Sequence, residues 1–179
     1  MQPSSTRLNY SFITEKDIND LFELDQDPAV MKYLNGGKPT TMEEKHTVFL
    51  PRMAKYANKE KGWGLWKVNI KESGEFIGWI LVRPMHFFND ETDTQWHNLE
   101  LGWRFKQSSW GKGYATEAAN ALVEQIALMP KYTHISAIAL KENAGSIGVM
   151  EKLGMRFVKE YMHNDPLGDI PAVYYERKL

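Results

Sequence analysis

The feature that most constrains what this chain can fold into is a strand that runs through a glycine-bearing loop into a helix, at residues 99–117. Apolar residues alternate with polar or small ones from 98 to 105, which predicts the strand. Gly111 and Gly113 follow in the loop, and the helix opens on small residues. Glycines let a backbone approach a ligand closely, and free N–H groups at a helix start attract anions. With Lys112 beside them, they predict a loop that holds a pyrophosphate.

Two familiar phosphate motifs do not fit this loop. The P-loop pattern requires Ser or Thr after its lysine, whereas Lys112 is followed by Gly113. The dinucleotide fingerprint requires a third glycine at the position that Thr116 occupies. The plain alternative, a glycine-rich turn that opens an ordinary packed helix, stays open at this point.

Composition limits the function classes. The chain has 179 residues, 42% of them hydrophobic, which predicts a single compact domain over 1–179. A net charge of −1 argues against a nucleic-acid partner or a membrane surface, and the lack of cysteine excludes disulfides, thiolate metal sites and a cysteine nucleophile. We see no signal peptide or membrane-spanning run, so we expect a cytoplasmic protein.

Periodicity predicts the element order β-α-α-β-β-β-α-β-α-β-β. The strands fall at 8–12, 63–70, 76–82, 99–105, 135–140, 157–161 and 173–177. Thr14 with Asp17, and Thr40 with Glu43, read as helix caps, and Pro51 is a candidate kink. The strand, helix and strand at the centre form a βαβ unit with parallel pairing, and the other pairs are mostly antiparallel.

The segment Trp110-Gly111-Lys112-Gly113-Tyr114-Ala115 resembles the acyl-CoA pyrophosphate loop of the GNAT superfamily of N-acetyltransferases. That pattern reads Arg or Gln, Gly, any, Gly, any, Gly or Ala, so only Trp110 departs from it. With Thr116-Glu117-Ala118 following, the loop looks most like the ribosomal-protein N-terminal (alanine/serine) acetyltransferase branch. The resemblance implies a mixed α/β (α+β) fold with a mostly antiparallel central sheet, a central βαβ unit and helices on both faces, and it covers nearly the whole chain.

A second segment strengthens the resemblance. Asn143 and Ser146 match the family's Asn-x-x-Ser, after the strand that ends at Leu140. In that family the Asn bonds the pantetheine arm or nearby backbone, and the Ser can protonate the departing thiolate. Alternatively, Asn143 is simply the N-cap of the following helix.

The resemblance also implies the site. Glu100, on the polar face of the central strand, is the candidate general base, and a salt-bridged structural residue is the alternative. Backbone N–H groups near Trp103 and Phe105 would polarise the thioester carbonyl. The residues expected to bind CoA are Trp103, Phe105, Trp110, Gly111, Lys112, Gly113, Tyr114, Ala115, Thr116 and Asn143.

Three further groups have weaker signals. The histidines show no metal-ligand spacing and read as structural or surface residues, with His97 close to Glu100 in sequence. The acidic segment 89–95 reads as a solvated loop tip, although its charges would suit a cationic substrate. Three tryptophans are candidates either for the core or for an acceptor pocket: Trp63, Trp66 and Trp96.

The function implied is transfer of an acetyl group from acetyl-CoA to a primary amine, by direct attack in a ternary complex and without metal. The acceptor would be a protein N-terminus or a small amine such as a polyamine or an antibiotic. A non-catalytic acetyl-CoA-binding sensor or scaffold is the alternative. Whether the chain forms a homodimer is left open.

Overall fold

The computed structural model of the chain describes residues 1–89 and 91–179 and contains a seven-stranded sheet of order β1-β2-β3-β4-β5-β7-β6. Only β4 and β5 pair in parallel, and every other neighbouring pair is antiparallel. The strands are β1 Leu8–Phe12, β2 Gly64–Ile70, β3 Phe76–Met85, β4 Gln95–Phe105, β5 His134–Ala139, β6 Arg156–His163 and β7 Ile170–Lys178.

In the described ranges, six α-helices accompany the sheet: α1 Ile18–Leu24, α2 Pro28–Met31, α3 Met42–Glu44, α4 Leu50–Tyr56, α5 Tyr114–Ala127 and α6 Ala144–Lys152. The mixed class and the order of the elements from β2 onward are those the sequence predicts, but four α-helices lie between β1 and β2 where the sequence predicts two. Among the described residues, none of these helices has the length and apolar character needed to cross a membrane.

Helices cover both faces of the sheet, as predicted. One core joins alternate β4 residues such as Leu99 and Leu101 to the buried faces of α5 and α6. The second core lies on the opposite face, where residues such as Leu21 of α1 and Met53 of α4 pack against Trp79 of β3. The two cores bury both surfaces of β3, which fixes the register of this strand.

The parallel pair in the middle of the sheet is short. Its register runs only from Asn98 opposite His134 to Glu100 opposite Ser136. Beyond that point β4 continues to Phe105 and β5 to Ala139, each bonded only to its antiparallel neighbour. The two strands therefore diverge, and each leaves an edge of backbone N–H and C=O groups facing the gap.

The helical segment before β2 corrects one prediction. Thr41 caps α3 with Glu44 in a reciprocal capping box, so the predicted pair Thr40 and Glu43 is wrong by one residue. A π-helical turn, Lys45–Phe49, joins α3 to α4 just before Pro51. Because proline has no N–H to donate, the helical hydrogen-bond ladder cannot continue unchanged across it.

A charged cluster is buried where this segment meets the sheet. The carboxylate of Asp25 forms ion pairs with Lys45 and with Arg104 of β4, and it also accepts a hydrogen bond of 2.9 Å from Thr40. Lys45 and Asp25 are each 1% exposed. Burial alone would raise the pKa of Asp25, but the two cations outweigh it and hold that pKa below its usual value.

We predict that Asp25→Asn destabilises the fold by about 3–5 kcal/mol at neutral pH, because it leaves two cations without their buried anion. Since the folded-state pKa of Asp25 lies below the unfolded value of about 3.9, its contribution is complete above that pH and is lost as pH falls through the folded pKa. Urea unfolding of the wild type and of Asp25→Asn, from neutral pH down into the acid range, measures the difference in their free energies of unfolding.

A matched control is Glu160→Gln, which breaks the exposed pair of Glu160 with Lys141 at 2.6 Å. We expect no measurable change in stability, because water screens this pair. Equal losses from the two variants, or a loss in Asp25→Asn that does not shrink in acid, would contradict the buried-cluster interpretation.

Candidate active site

The predicted anion loop leads from the end of β4 into α5. A short 3-10 turn, Gln107–Ser109, comes first, and then Gly111 and Gly113 take left-handed backbone angles with φ of +71° and +78°. Gly113 is the N-cap of α5, and no side chain caps the helix there. Only glycine adopts such angles without strain, so both glycines are required by the path of the loop.

The loop presents unused hydrogen-bond donors. Within the described part of the chain, no backbone N–H group of residues 111–116 donates a hydrogen bond. These groups lie at the start of a 14-residue helix, where its dipole is positive. Lys112 is exposed beside them. The geometry suits a pyrophosphate held by backbone amides.

Trp110 stands where the family pattern has Arg or Gln. Its indole Nε1 donates a 2.9 Å hydrogen bond to the carbonyl oxygen of Phe105, and the residue is 47% exposed. The indole therefore fastens the loop to the end of β4 and leaves part of its surface open beside the anion site. The side chain of Phe105 is buried, so its backbone is the part available at the gap between β4 and β5.

The second predicted segment opens α6. The Asn143 side chain accepts a hydrogen bond of 3.1 Å from the N–H of Ser146, so Asn143 is the N-cap, as the plain interpretation holds. Its amide NH₂ stays available as a donor. Because β4 and β5 run parallel, α5 and α6, which follow them, start at the same edge of the sheet. A groove of about 430 Å³ lies alongside, lined by Glu142 and Tyr161 among others.

Glu100 lies on the β4 face turned away from α5. It is 5% exposed, and its Oε2 accepts a hydrogen bond of 2.7 Å from Nε of Arg83, directly opposite on β3. The salt-bridged arrangement that the sequence left open is therefore present. The other carboxylate oxygen accepts no hydrogen bond within the described residues. A base role for Glu100 is compatible with this geometry.

A cluster of aromatic and ionisable side chains surrounds that pair, and the sequence did not reveal it. It joins α4, the end of β3 and the β6–β7 hairpin. Tyr56 lies against Arg83, with 5.6 Å from its ring centroid to the guanidinium carbon, and Arg52 of α4 forms an ion pair with Asp165. The members of this acceptor-side cluster are Arg52, Tyr56, Arg83, His86, Phe88, Glu100, Tyr161, His163 and Asp165.

Two histidines in the cluster share a hydrogen-bonded tyrosine. The Tyr161 hydroxyl lies 2.8 Å from Nδ1 of His163 and 3.4 Å from Nε2 of His86. Burial lowers the pKa of both imidazoles, so both are mostly neutral at pH 7. His86 also has a left-handed φ of +60°, which is uncommon for a residue with a side chain. This positive φ could have pointed to His86 as a functional residue, but it is visible only in the structure and not in the sequence.

The structure also places the tryptophans and the histidine that the sequence singled out. Trp63 and Trp66 are 6% and 3% exposed and belong to the core, which is the first of the two alternatives for them, whereas Trp96 is 46% exposed. His97 is exposed, and its ring nitrogen lies 2.8 Å from the Lys131 carbonyl oxygen, away from Glu100's face.

In the acidic loop, Glu91 and Asp93 are exposed, and Asp90 lies outside the described residues. Within the described ranges, no group of three or more His, Asp or Glu side chains is placed to hold a metal ion.

The sequence profile of the acetyltransferase (GNAT) domain matches residues 7–156. An uncharacterised Bacillus subtilis protein, YkkB, is 30% identical over 96% of this chain and 92% of its own length. FsC-acetyl coenzyme A-N(2)-transacetylase of Aspergillus fumigatus is 30% identical over 79% of this chain, and the match spans only 59% of that enzyme.

Solved structures agree on the fold. A GNAT-family acetyltransferase from Bacillus anthracis superposes with a TM-score of 0.75 at 28% identity, over 99% of this chain and 98% of that one. An aminoglycoside acetyltransferase in complex with coenzyme A gives 0.77 at 22% identity, over 96% and 94%. RimL, a ribosomal alpha-N-protein acetyltransferase in complex with coenzyme A, gives 0.74 at 17%, over 99% and 97%. The chain belongs to the acetyltransferase (GNAT) domain family and is an acetyl-CoA-dependent N-acetyltransferase.

Proposed function

We propose that this enzyme binds acetyl-CoA across the edge where β4 and β5 diverge and transfers its acetyl group directly to a primary amine. The observation that carries the proposal is the coincidence of two features at one edge. One is the strand gap beyond Glu100 and Ser136, and the other is the uncapped start of α5 with its free amides.

Acetyl-CoA supplies the activated acyl group, and the chain supplies its placement. The amides of residues 111–116 hold the pyrophosphate, with Lys112 adding charge and Trp110 fixing the loop. The unpaired β4 edge near Trp103 and Phe105 donates N–H groups to the thioester carbonyl oxygen. Asn143 donates its amide to the pantetheine arm, and Ser146 returns a proton to the departing sulfur.

The amine approaches from the opposite face, where Glu100 lies. A protonated amine must lose a proton before it attacks, and Glu100 is the proposed acceptor of that proton, directly or through water. The pairing with Arg83 fixes the orientation of the carboxylate. His86 and His163, neutral near pH 7, lie in the same cluster and form the second set of candidate bases.

We propose an acceptor with one primary amine beside an apolar or neutral group, such as a peptide N-terminus or a small monoamine. In the described part of the acceptor-side cluster, both carboxylates are already paired with arginines and the remaining walls are largely aromatic. A polycation would need more free negative charge. Location in the cytoplasm, a single domain over 1–179 and a homodimer remain proposals from sequence alone.

Release of CoA thiol, followed with acetyl-CoA and a panel of peptides, monoamines, polyamines and aminoglycosides, tests the proposal. We expect turnover with peptides or monoamines. A domain that only senses acetyl-CoA would bind it but release no thiol with any amine. Fastest turnover with aminoglycosides would contradict the proposed acceptor class.

We predict that Gly111→Ala weakens acetyl-CoA binding by roughly tenfold or more, because the added methyl occupies space that the pyrophosphate needs. Calorimetric titration measures the affinity. The control is Gly74→Ala in the β2–β3 turn. Gly74 has nearly the same φ, +72° against +71°, and neither added Cβ has a neighbour within 4 Å. Each variant carries the same backbone strain, about 1–2 kcal/mol. Equal affinities for acetyl-CoA in the two variants would show that the loop is only a turn.

We predict that Glu100→Gln lowers turnover by ~10²–10⁴-fold with acetyl-CoA affinity nearly unchanged, because the amide keeps the shape and loses the basicity. The loss should shrink at high pH, where more of the amine is already neutral. Steady-state kinetics across pH, with the best amine from the panel, measures it.

Arg83→Gln is the matched control for this variant, since it breaks the same ion pair and keeps the carboxylate. A base role predicts a much smaller loss of turnover in Arg83→Gln than in Glu100→Gln. Equal losses of turnover in the two variants would show that the pair of Glu100 with Arg83 is structural. Water or one of the histidines would then accept the proton of the amine.

A further inference from the structure

Arg7, just before β1, contacts three residues of the pyrophosphate loop and of the first turn of α5. Its Nε lies 2.6 Å from the Oε2 atom of Glu117 in the first turn of α5, and its backbone N–H donates to Oε1 of the same carboxylate at 2.8 Å. Its Nη1 donates a 3.0 Å hydrogen bond to the carbonyl oxygen of Lys112. Its guanidinium carbon lies 4.4 Å from the ring centroid of Tyr114. One side chain thus touches the loop on both sides of Gly113.

The bond to Lys112 determines which way the neighbouring amide points. The C=O and N–H of a planar trans peptide point in opposite directions. Because the Lys112 carbonyl is turned toward Arg7, the N–H of Gly113 is turned away from it. Because glycine has no side chain to restrict its backbone, the loop could take other paths at Gly113. Arg7 removes that freedom.

Arg7 also offsets an unfavourable charge. Glu117 lies one turn inside α5, close to where the pyrophosphate is proposed to bind, and an unpaired carboxylate there would repel it. Burial raises the pKa of Glu117, but the hydrogen bonds from Arg7 outweigh that effect and lower it, so the group is ionised at neutral pH. The Arg7 guanidinium neutralises it in place.

We propose that Arg7 is a positioning residue for the CoA pyrophosphate: it fixes the loop amides in their binding orientation and cancels the charge of Glu117. This inference rests on the proposed pyrophosphate site. It adds a residue 104 positions before the first loop glycine, outside every motif of the sequence. Nε and Nη1 of Arg7 already bond to Glu117 and to the Lys112 carbonyl, so these two donors act on the loop and not on the co-substrate.

The test compares two ligands that differ in the pyrophosphate. Arg7→Met keeps the aliphatic stem and removes the hydrogen bonds and the charge. We expect its affinity for CoA, measured by calorimetry, to fall on the order of tenfold. We expect its affinity for pantetheine, which lacks the pyrophosphate and nucleotide, to be unchanged when measured by ligand-observed NMR. A general loosening of the structure would weaken both ligands.

Two further variants sharpen the test. Lys71→Met removes the hydrogen bond from Lys71 to the Ser5 carbonyl, so it loosens the same N-terminal segment without touching the loop, and we expect CoA affinity like that of the wild type. Arg7→Lys keeps the charge, but one ammonium cannot replace the planar fork, so we expect the affinity for CoA to stay low. It also provides a readout if Arg7→Met does not fold.

The outcomes separate this inference from the proposed function. If the wild type binds no CoA, the proposed function fails, and the inference fails with it. Wild-type binding together with unchanged CoA affinity in Arg7→Met, or equal losses for CoA and pantetheine, overturns the inference alone. Full recovery of the affinity for CoA in Arg7→Lys would show that Arg7 acts only through its charge, and it would contradict a role in positioning the loop amides.

Discussion

The fold depends on a parallel strand pair that is cut short. β4 and β5 bond over three residue pairs, from Asn98 with His134 to Glu100 with Ser136, and then separate. The separation is stable because each strand keeps an antiparallel partner on its other side and each is buried by a helix that follows it. Backbone N–H and C=O groups that would pair with each other in a regular sheet are therefore left unpaired at the edge where α5 and α6 begin. A ligand with its own hydrogen-bonding groups can bind there.

The two faces of the sheet carry different chemical groups. On the α5 side, an uncapped helix start with free amides offers positive potential without a buried charge, which suits a flexible, highly charged co-substrate. On the α4 side, Glu100 is fixed by Arg83 within aromatic walls, and the pair of Arg52 with Asp165 connects α4 to the β6–β7 hairpin. The strand gap is the point at which groups held on opposite faces can meet, which is the placement that direct transfer requires.

The sequence predicted what is decided locally. Strand alternation, the Gly111 and Gly113 loop, the Asn143 cap and the parallel βαβ unit all follow from neighbours a few residues apart. The prediction of Thr40 as the cap, where the structure has Thr41, failed because adjacent threonines offer the same chemistry and only the phase of the helix selects one. The partners of Glu100 and the meeting of His86 with His163 depend on register and on distant elements, which periodicity does not encode. The contact of Arg7 with Glu117 is of the same kind, across 110 residues.

The most direct test of the account is amide hydrogen exchange of residues 110–117 with and without acetyl-CoA. The central claim is that the free N–H groups of 111–116 bind the pyrophosphate. It predicts that their exchange slows markedly when acetyl-CoA saturates the protein, while exchange in the β2–β3 turn around Gly74 does not change. Tight binding of acetyl-CoA with unchanged exchange at 111–116 would contradict the claim, because the co-substrate would then be held elsewhere.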